Sequence, residues 1–422
     1  MSIFSKFSVL FTDKTLRNRV LFVIGALFVS RLLAVIPVPG VNQAALNALF
    51  NSNQMLGMLS LFSGGGLSNL SIVLLGVGPY ITASIIMQLV TLLSPRIKAM
   101  YQEEGEAGRQ KFTMYSRWLT LPIALIQGSG FLLLLERQAI IPSLTLFAFL
   151  VNLTVIVTGA ILLMWIGELM SEFGIGNGMS LLIFAGIVAR LPRLFSQAAL
   201  TFDYTQIPVY LGFLAAALLA TAAVVAITEA ERPVPVTYAK QVRGLKTYGG
   251  TSTYMPLRLN QAGVIPIIFA LSLLLIPQMV ASFFVASGRG WMLTSGHYVL
   301  GLLQNLWLYG AAYFILVFIF TFFYTAITFE PKTVAENLQR NGAFIPGIRP
   351  GNATVEFLSV VVTRITFIGA LFLAVIAVMP TIVQAITHAQ ALTIGGTALL
   401  IVVSVVLDLS RRIEAQLSVR EY

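Results

Sequence analysis

The chain has no cysteine and only two histidines, His297 and His388, in 422 residues. Without cysteine there is no disulfide framework, no thiolate metal site and no thiol nucleophile. Both histidines fall in predicted loops on the far side of the membrane. No HExxH, GxSxG or Walker pattern occurs. The GIGNG of 174–178 lacks the preceding strand that a nucleotide-binding turn requires, so it reads as a helix-breaking turn. Glu168 and Glu172 flank it and are expected to be solvated at the cytoplasmic interface. Charge is scarce as well. Only 10% of residues are charged while 57% are hydrophobic, against about 25% charged in soluble proteins. That is a polytopic membrane protein. No predicted span carries a mid-membrane Asp, Glu, Lys or His, which an ion- or proton-coupled transporter usually needs. Arg31 comes nearest and is expected to snorkel outward from its helix end. An enzyme and a coupled pump are both disfavoured, and no catalytic residue, metal ligand or cofactor is expected.

What is there is apolar and helical. Apolar runs predict about ten spans, near 20–37, 72–93, 113–135, 144–166, 178–191, 207–228, 262–287, 299–328, 365–386 and 394–409. The N-terminal stretch before them reads as a short interfacial amphipathic helix feeding an uncleaved first span. Lys and Arg set the orientation. Arg137, Arg190, Arg193 and Arg289 fall on one side and Arg31 within the first span. Every other basic residue lies in the N-terminal tail, loops 96–117 and 229–260, segment 329–364 or the C-terminal tail. Both termini are therefore expected in the cytoplasm, and the net charge of +10 is a cytoplasmic surface.

From Leu32 to Pro95 there is no Asp, Glu, Lys or Arg. Within that silent region, LSLFSGGGLSNLS (59–71) is too short to span and is broken by Gly64, Gly65 and Gly66. Such a segment reads as a re-entrant piece, tolerated only where protein covers it or water reaches it. Five predicted spans precede residue 205 and five follow, so halves 1–204 and 205–422 would be inverted repeats. Gly174, Gly176 and Gly178 before the short fifth span match Gly395 and Gly396 before the short tenth. Gly78-Pro79 and Gly263 with Pro266 match in the second and seventh. Gly and Pro are also simply common in membrane helices.

Two cytoplasmic segments are too long for connectors. In 231–260, Val234, Val236 and Tyr238 alternate, and Arg232, Lys240, Arg243, Lys246 and Arg258 supply charge; a protruding basic hairpin fits. Segment 329–351 reads as a short helix and then a Gly/Pro turn around Arg349. Phosphates or an acidic protein would suit both. Within the spans, Val77, Ile81, Ile85 and Gln88 share one face of the second, and Met179 and Ile183 one face of the fifth. An apolar constriction can gate by dewetting, although such residues in a membrane helix are as readily explained by packing.

The motifs LFSGGGLSNLSI, GVGPYITASIIMQL, GIGNGMSLLIFAGIVA, AGVIPIIFA, GAFIPGIRPG and IGGTALLIVV, with IPVPG at 36–40, resemble the SecY family of bacterial protein-conducting channels. The resemblance runs through nearly the whole chain in order. It implies an all-α polytopic fold of two inverted five-helix halves with a re-entrant plug, roughly Leu59 to Ser71, including Leu61, Phe62, Ser63, Gly64, Gly65, Gly66, Leu67, Ser68 and Asn69. Matching positions imply a pore ring of Val77, Ile81, Met179, Ile183, Ile268 and Ile401. The family more often has isoleucine where Val77 and Met179 stand. They imply a lateral gate with Thr82 facing Ile276, and Gln88 and Asn260 as a polar pair. Arg349 would serve docking of the SecA motor and the ribosome, whose exit tunnel presents rRNA, with Arg243, Lys240 and Lys246 on the hairpin. Further implied partners are SecE and SecG, signal sequences, nascent polypeptides and membrane lipid. A secondary transporter with inverted repeats and a membrane-bound assembly scaffold are the other classes.

Overall fold

The computed structural model describes residues 13–38, 70–137, 141–142, 144–189, 192, 207–239, 241–243, 246–248, 252–288, 290–387 and 390–418. The elements in order are α1 (Lys14–Val35), α2 (Gly78–Leu93), α3 (Pro95–Gln102), α4 (Gly105–Arg137), α5 (Leu146–Phe173), α6 (Gly178–Val188) and α7 (Ile207–Glu229). Then come β1 (Glu231–Tyr238), β2 (Gln241–Arg243), β3 (Lys246–Tyr248) and β4 (Ser252–Arg258). The rest are α8 (Ile265–Ser287), α9 (Gly290–Gln304), α10 (Leu306–Thr328), α11 (Pro331–Arg340), β5 (Ala343–Phe344), α12 (Asn352–Thr387) and α13 (Gln390–Ser418). A helix stands over each predicted apolar run. Among the described residues, Lys14–Val35, Leu146–Phe173, Leu306–Arg340 and Asn352–Met379 are long and apolar enough to cross a membrane singly. Gly78–Thr91 and Pro95–Tyr101 do so only together, bent by 114°.

Several boundaries differ from the expectation for physical reasons. The second apolar run is not helical from 72: residues 72–77 form turns and the helix begins at Gly78. Pro79 occupies the first turn, where its missing N–H costs nothing. The run 299–328 is interrupted at Asn305, between α9 and α10. Asp13 caps α1, its carboxylate accepting from the Thr15 and Leu16 N–H groups, so Lys14 to Val20 belong to the first helix. The rest of the expected interfacial helix lies outside the described residues.

The chain forms two compact units. The first comprises Met1–Tyr210, Ser272–Asn305 and Val405–Tyr422. In it α4 packs on α2, α3 and α5, and α1 packs on α5 and α6. One cluster buries Val38, Leu70, Leu74, Phe131, Leu132, Leu135, Ile141 and Ile156. α5 reaches the turns before α2 through Gly159. A Cβ there would lie 2.1 Å from the Ile72 carbonyl oxygen, so only glycine permits the approach.

The second unit comprises Leu211–Leu271 and Leu306–Ser404. In it α10 and α12 pack lengthwise. α12 has 36 residues, about 54 Å at 1.5 Å per residue, so it outruns a bilayer of about 30 Å. Its first turns carry Leu358, Val361, Val362 and Ile365, which are buried against Val234, Leu257 and Ile345. A three-stranded antiparallel sheet, ordered β4-β1-β5, caps that cluster. The expected hairpin is thus present. Val234 and Val236 point inward, while Tyr238 is exposed. Pro233 and Pro235 fit because β5 is only two residues long and pairs with Thr237 and Tyr238 alone.

Gly159→Ala should therefore destabilise the protein by about 1–3 kcal/mol through overpacking against backbone. Gly25→Ala, where an added Cβ meets nothing within 4 Å, should not. Thermal unfolding of the two variants in one detergent tests this, and equal midpoints would refute the packing assignment.

Candidate functional site

The silent region is anchored at both ends. The Val38 N–H donates to the Leu70 carbonyl at 2.7 Å, and the Ile72 N–H to the Ile36 carbonyl at 3.0 Å. Pro37 and Ser71 form the bridge between them. Residues 36–38 and 70–72 are therefore held side by side, with Val38, Leu70 and Ser71 buried. Leu70 holds φ at 42°, a left-handed conformation costing a non-glycine residue about 1–2 kcal/mol. Burial to 1% exposure and the bond to Val38 hold it there. Leu61, Phe62, Ser63, Gly64, Gly65, Gly66, Leu67, Ser68 and Asn69 lie outside the described residues.

Past that bridge the chain turns into α2. Val77 caps the helix at φ −90°, ψ 2° and is 2% exposed. Ile81 and Ile85 are buried behind it. Thr82 is buried too, its hydroxyl donating to the Gly78 carbonyl at 3.1 Å. A helical hydroxyl so occupied presents an apolar methyl to its neighbours. The Gln88 amide donates weakly to Ser84 Oγ at 3.4 Å. Its oxygen is buried with no hydrogen-bond partner among the described residues.

The GIGNG segment is the turn the sequence suggests. Asn177 caps α6, its side-chain oxygen accepting from the Met179 and Ser180 N–H groups. The Ser171 hydroxyl takes the Gly178 N–H at 2.8 Å, and Gly176 adopts φ +88°. α6 has 11 residues, about 16 Å, half a bilayer. Its Ile183 is 2% exposed. Met179 is partly buried and seats its thioether over Gly167 of α5.

Two charges behave differently from the expectation. Arg31 does not snorkel outward; it is partly buried and its Nη2 donates to the Leu182 carbonyl of α6 at 3.5 Å. Glu168 is not solvated. Its Oε1 accepts from Arg117 Nε at 2.8 Å, with the carboxylate side chain only 14% exposed. Tyr80 of α2 lies within electrostatic reach of both. Glu172 is exposed, as expected. The Arg117–Glu168 pair was legible in principle. The start of one span lies level with the end of its antiparallel successor, so an Arg and a Glu at those places meet.

In the second unit Ile268 and Ile401 are 6% and 2% exposed. Asn260 is buried, and its side-chain oxygen lacks a partner among the described residues. Ile276, of the first unit, is partly buried on α8. Arg349 is exposed in a turn whose backbone is fixed: its carbonyl accepts from the Thr354 hydroxyl at 2.9 Å, and Gly347 holds φ +83°. Ile345, just before it, is buried under the sheet. The β1–β5 pairing and the Ala239 N–H bond to the Gly342 carbonyl join this turn to the base of the 231–258 hairpin. The two loops stand apart in the sequence; the structure makes them one body. Arg243 and Lys246 are register partners of β2 and β3, and Lys240 lies outside the described residues.

A helical membrane protein with a half-length helix and irregular backbone tucked into its core has the build of a channel or a transporter, and its similarity to known proteins decides for the channel. The SecY family model matches residues 71–410. The protein translocase subunit SecY of Streptomyces galbus is 40% identical over 438 residues, covering 98% of this chain and 97% of that protein. A solved SecY channel, studied for the plug domain that stabilises its closed state, aligns with TM-score 0.65 and 19% identity, covering 96% of this chain and 93% of that one. Sec61 from a canine ribosome-channel complex aligns with TM-score 0.60 and 16% identity over 96% and 93%. The chain belongs to the SecY family. It is a protein translocase subunit, a channel component and not an enzyme. The secondary-transporter alternative finds no support.

Thr237 and Phe344 are direct antiparallel partners, so their Cα atoms lie about 4.5–5.5 Å apart, within disulfide range. In this cysteine-free chain, Thr237→Cys with Phe344→Cys should cross-link on oxidation and leave translocation intact. Loss of translocation that reduction restores would mean the two loops must separate to work.

Proposed function

We propose that the chain lines the path by which unfolded secretory polypeptides cross the bacterial cytoplasmic membrane, and by which apolar segments leave sideways into lipid. Ten spans in two inverted halves, 1–204 and 205–422, would surround the path, with both termini cytoplasmic. Val77, Ile81, Met179, Ile183, Ile268 and Ile401 form its constriction and 59–71 its plug. Thr82, Gln88, Asn260 and Ile276 line the seam through which a signal sequence exits. The observation that carries this reading is the burial of the uncharged, branched side chains Val77, Ile81, Ile183, Ile268 and Ile401 at five of the six ring positions, in a chain of this family. The two orphaned amide oxygens at Gln88 and Asn260 suit a polar seam that takes a donor from elsewhere.

The physics is direct. A chain crossing hydrocarbon strands backbone groups at several kcal/mol each. A water-filled funnel removes that cost, and branched apolar side chains close around whatever passes. An apolar signal then partitions into lipid, gaining about 25 cal/mol per Å² of buried surface. The path has no energy source of its own, so a SecA-type motor or a ribosome pushes, docking on Arg349 and the 231–258 hairpin. SecE and SecG complete the assembly.

Ile268→Asn and Ile401→Asn each put an amide in a dry constriction, which water then satisfies. Both should leak ions at rest and export proteins with defective signals better than the parent. Planar-bilayer recordings as tight as the parent's would remove these residues from the constriction. Arg349→Glu reverses an exposed charge, so the protein should accumulate normally while secretion falls about tenfold, as for loss of a charge-assisted contact. Normal secretion by this variant would overturn the docking role.

A further inference from the structure

α9 carries no Asp, Glu, Lys or Arg, yet it presents large side chains outward. Trp291 and Tyr298 are 67% and 68% exposed, with Leu302 beside them at 40%. These residues recur at i, i+7 and i+11, one stripe of a helix. The opposite side is packed. A Cβ on Gly296 would lie 2.8 Å from the Ala281 carbonyl oxygen and 2.7 Å from a Val285 methyl. Phe284 meets the Trp291 ring edge-on at 6.1 Å. α9 therefore folds back over the last turns of α8. α8 has 23 residues, none charged, about 34 Å of helix, enough to cross the hydrocarbon. A helix of that length that crosses the bilayer puts its end at Ser287, and α9 with it, where the bilayer meets water.

Three environments could receive the Trp291–Tyr298–Leu302 stripe. Open water would leave two large rings hydrated. The hydrocarbon centre would strand the indole N–H and phenol O–H without hydrogen-bond partners, which is costly. The headgroup boundary satisfies both demands, taking the rings among acyl carbons and the polar tips among glycerol and headgroup oxygens. An uncharged helix also has no ion pair to offer an acidic or basic protein. Val280 of α8 is an exposed apolar side chain as well, at 44%.

We propose that α9 is an interfacial helix that binds lipid at the headgroup boundary through Trp291, Tyr298 and Leu302. It moors the end of α8, the helix bearing Ile268 and Ile276, and so sets the point about which α8 can tilt. Only a membrane-crossing α8 is required, so this mooring stands or falls apart from the pore and docking assignments.

Depth-dependent quenching tests it. The full chain with Trp118→Phe, Trp165→Phe and Trp307→Phe retains Trp291 as its one fluorophore of that kind. It is reconstituted into phosphatidylcholine vesicles brominated either near the headgroup or near the acyl terminus. Shallow bromines should quench Trp291 about twofold more than deep ones, the order expected for a belt tryptophan. No quenching by either lipid would mean water or protein covers the stripe and would overturn the proposal. Stronger quenching by the deep bromines would overturn it equally. Should the triple variant not fold, Tyr298→Cys in the otherwise cysteine-free chain can carry an environment-sensitive dye. The same shallow-over-deep order is then expected, and its absence would again overturn the proposal.

Discussion

A backbone N–H or C=O left unpaired in hydrocarbon costs several kcal/mol, and this constraint governs where the chain departs from helix. The turns between Leu70 and Gly78 are internally bonded: Leu74 to Ser71, Gly76 to Val73 and Gly78 to Leu75, all at 2.9–3.2 Å. Residues 70–72 of that region pair with Ile36 to Val38, just past the end of α1. At the second break, Asn177 and Ser171 side chains take the N–H groups that α6 exposes at its start. Both irregular stretches are covered by α5, which comes close enough only because Gly159, Gly167 and Gly178 lack side chains. Breaks that would be forbidden against lipid are thereby built into a core. They leave α2 with 16 residues and α6 with 11.

The same constraint explains how the few charges are placed. Arg117 and Glu168 neutralise one another between α4 and α5 near the membrane edge. Arg31 turns toward the Leu182 carbonyl of the short α6, in the first half of that helix. Neither arrangement is a catalytic device. Both tie helices together, and the side chains at the ring positions proposed above are Val, Ile and Met, whose lack of charge would permit a dry seal.

Outside the membrane the logic reverses. α12 projects beyond the bilayer, and the apolar face of its extension needs a cover. The β4-β1-β5 sheet supplies it with Val234, Leu257 and Ile345. Two loops far apart in the chain thus share one small core, and Arg349 is displayed from a rigid support. A partner pressing on that support meets a firm surface directly connected to α12. A flexible basic tail would absorb the push instead.

Length, hydropathy and charge placement are local properties, and they sufficed for the membrane class, the helix positions, the GIGNG turn, the hairpin and the family motifs. Gly78-Pro79 signalled a break, though the onset of α2 at Gly78 rather than at 72 was masked by an unbroken apolar run. Hydropathy cannot see hydrogen bonds, so the interruption at Asn305 was hidden the same way. Arg31 and Glu168 departed from expectation because the fate of a charge depends on what stands opposite it. The Pro37–Ser71 bridge, the Met179–Gly167 contact and the union of β1 with β5 join residues distant in sequence, and no local pattern encodes such pairs. The sequence by itself determined that this chain must live in a bilayer as helices with an uncharged interior, because transfer free energies add residue by residue. Only the tertiary structure decided which breaks are satisfied, which charges are paired and which loops act as one, because those depend on distances that folding alone sets.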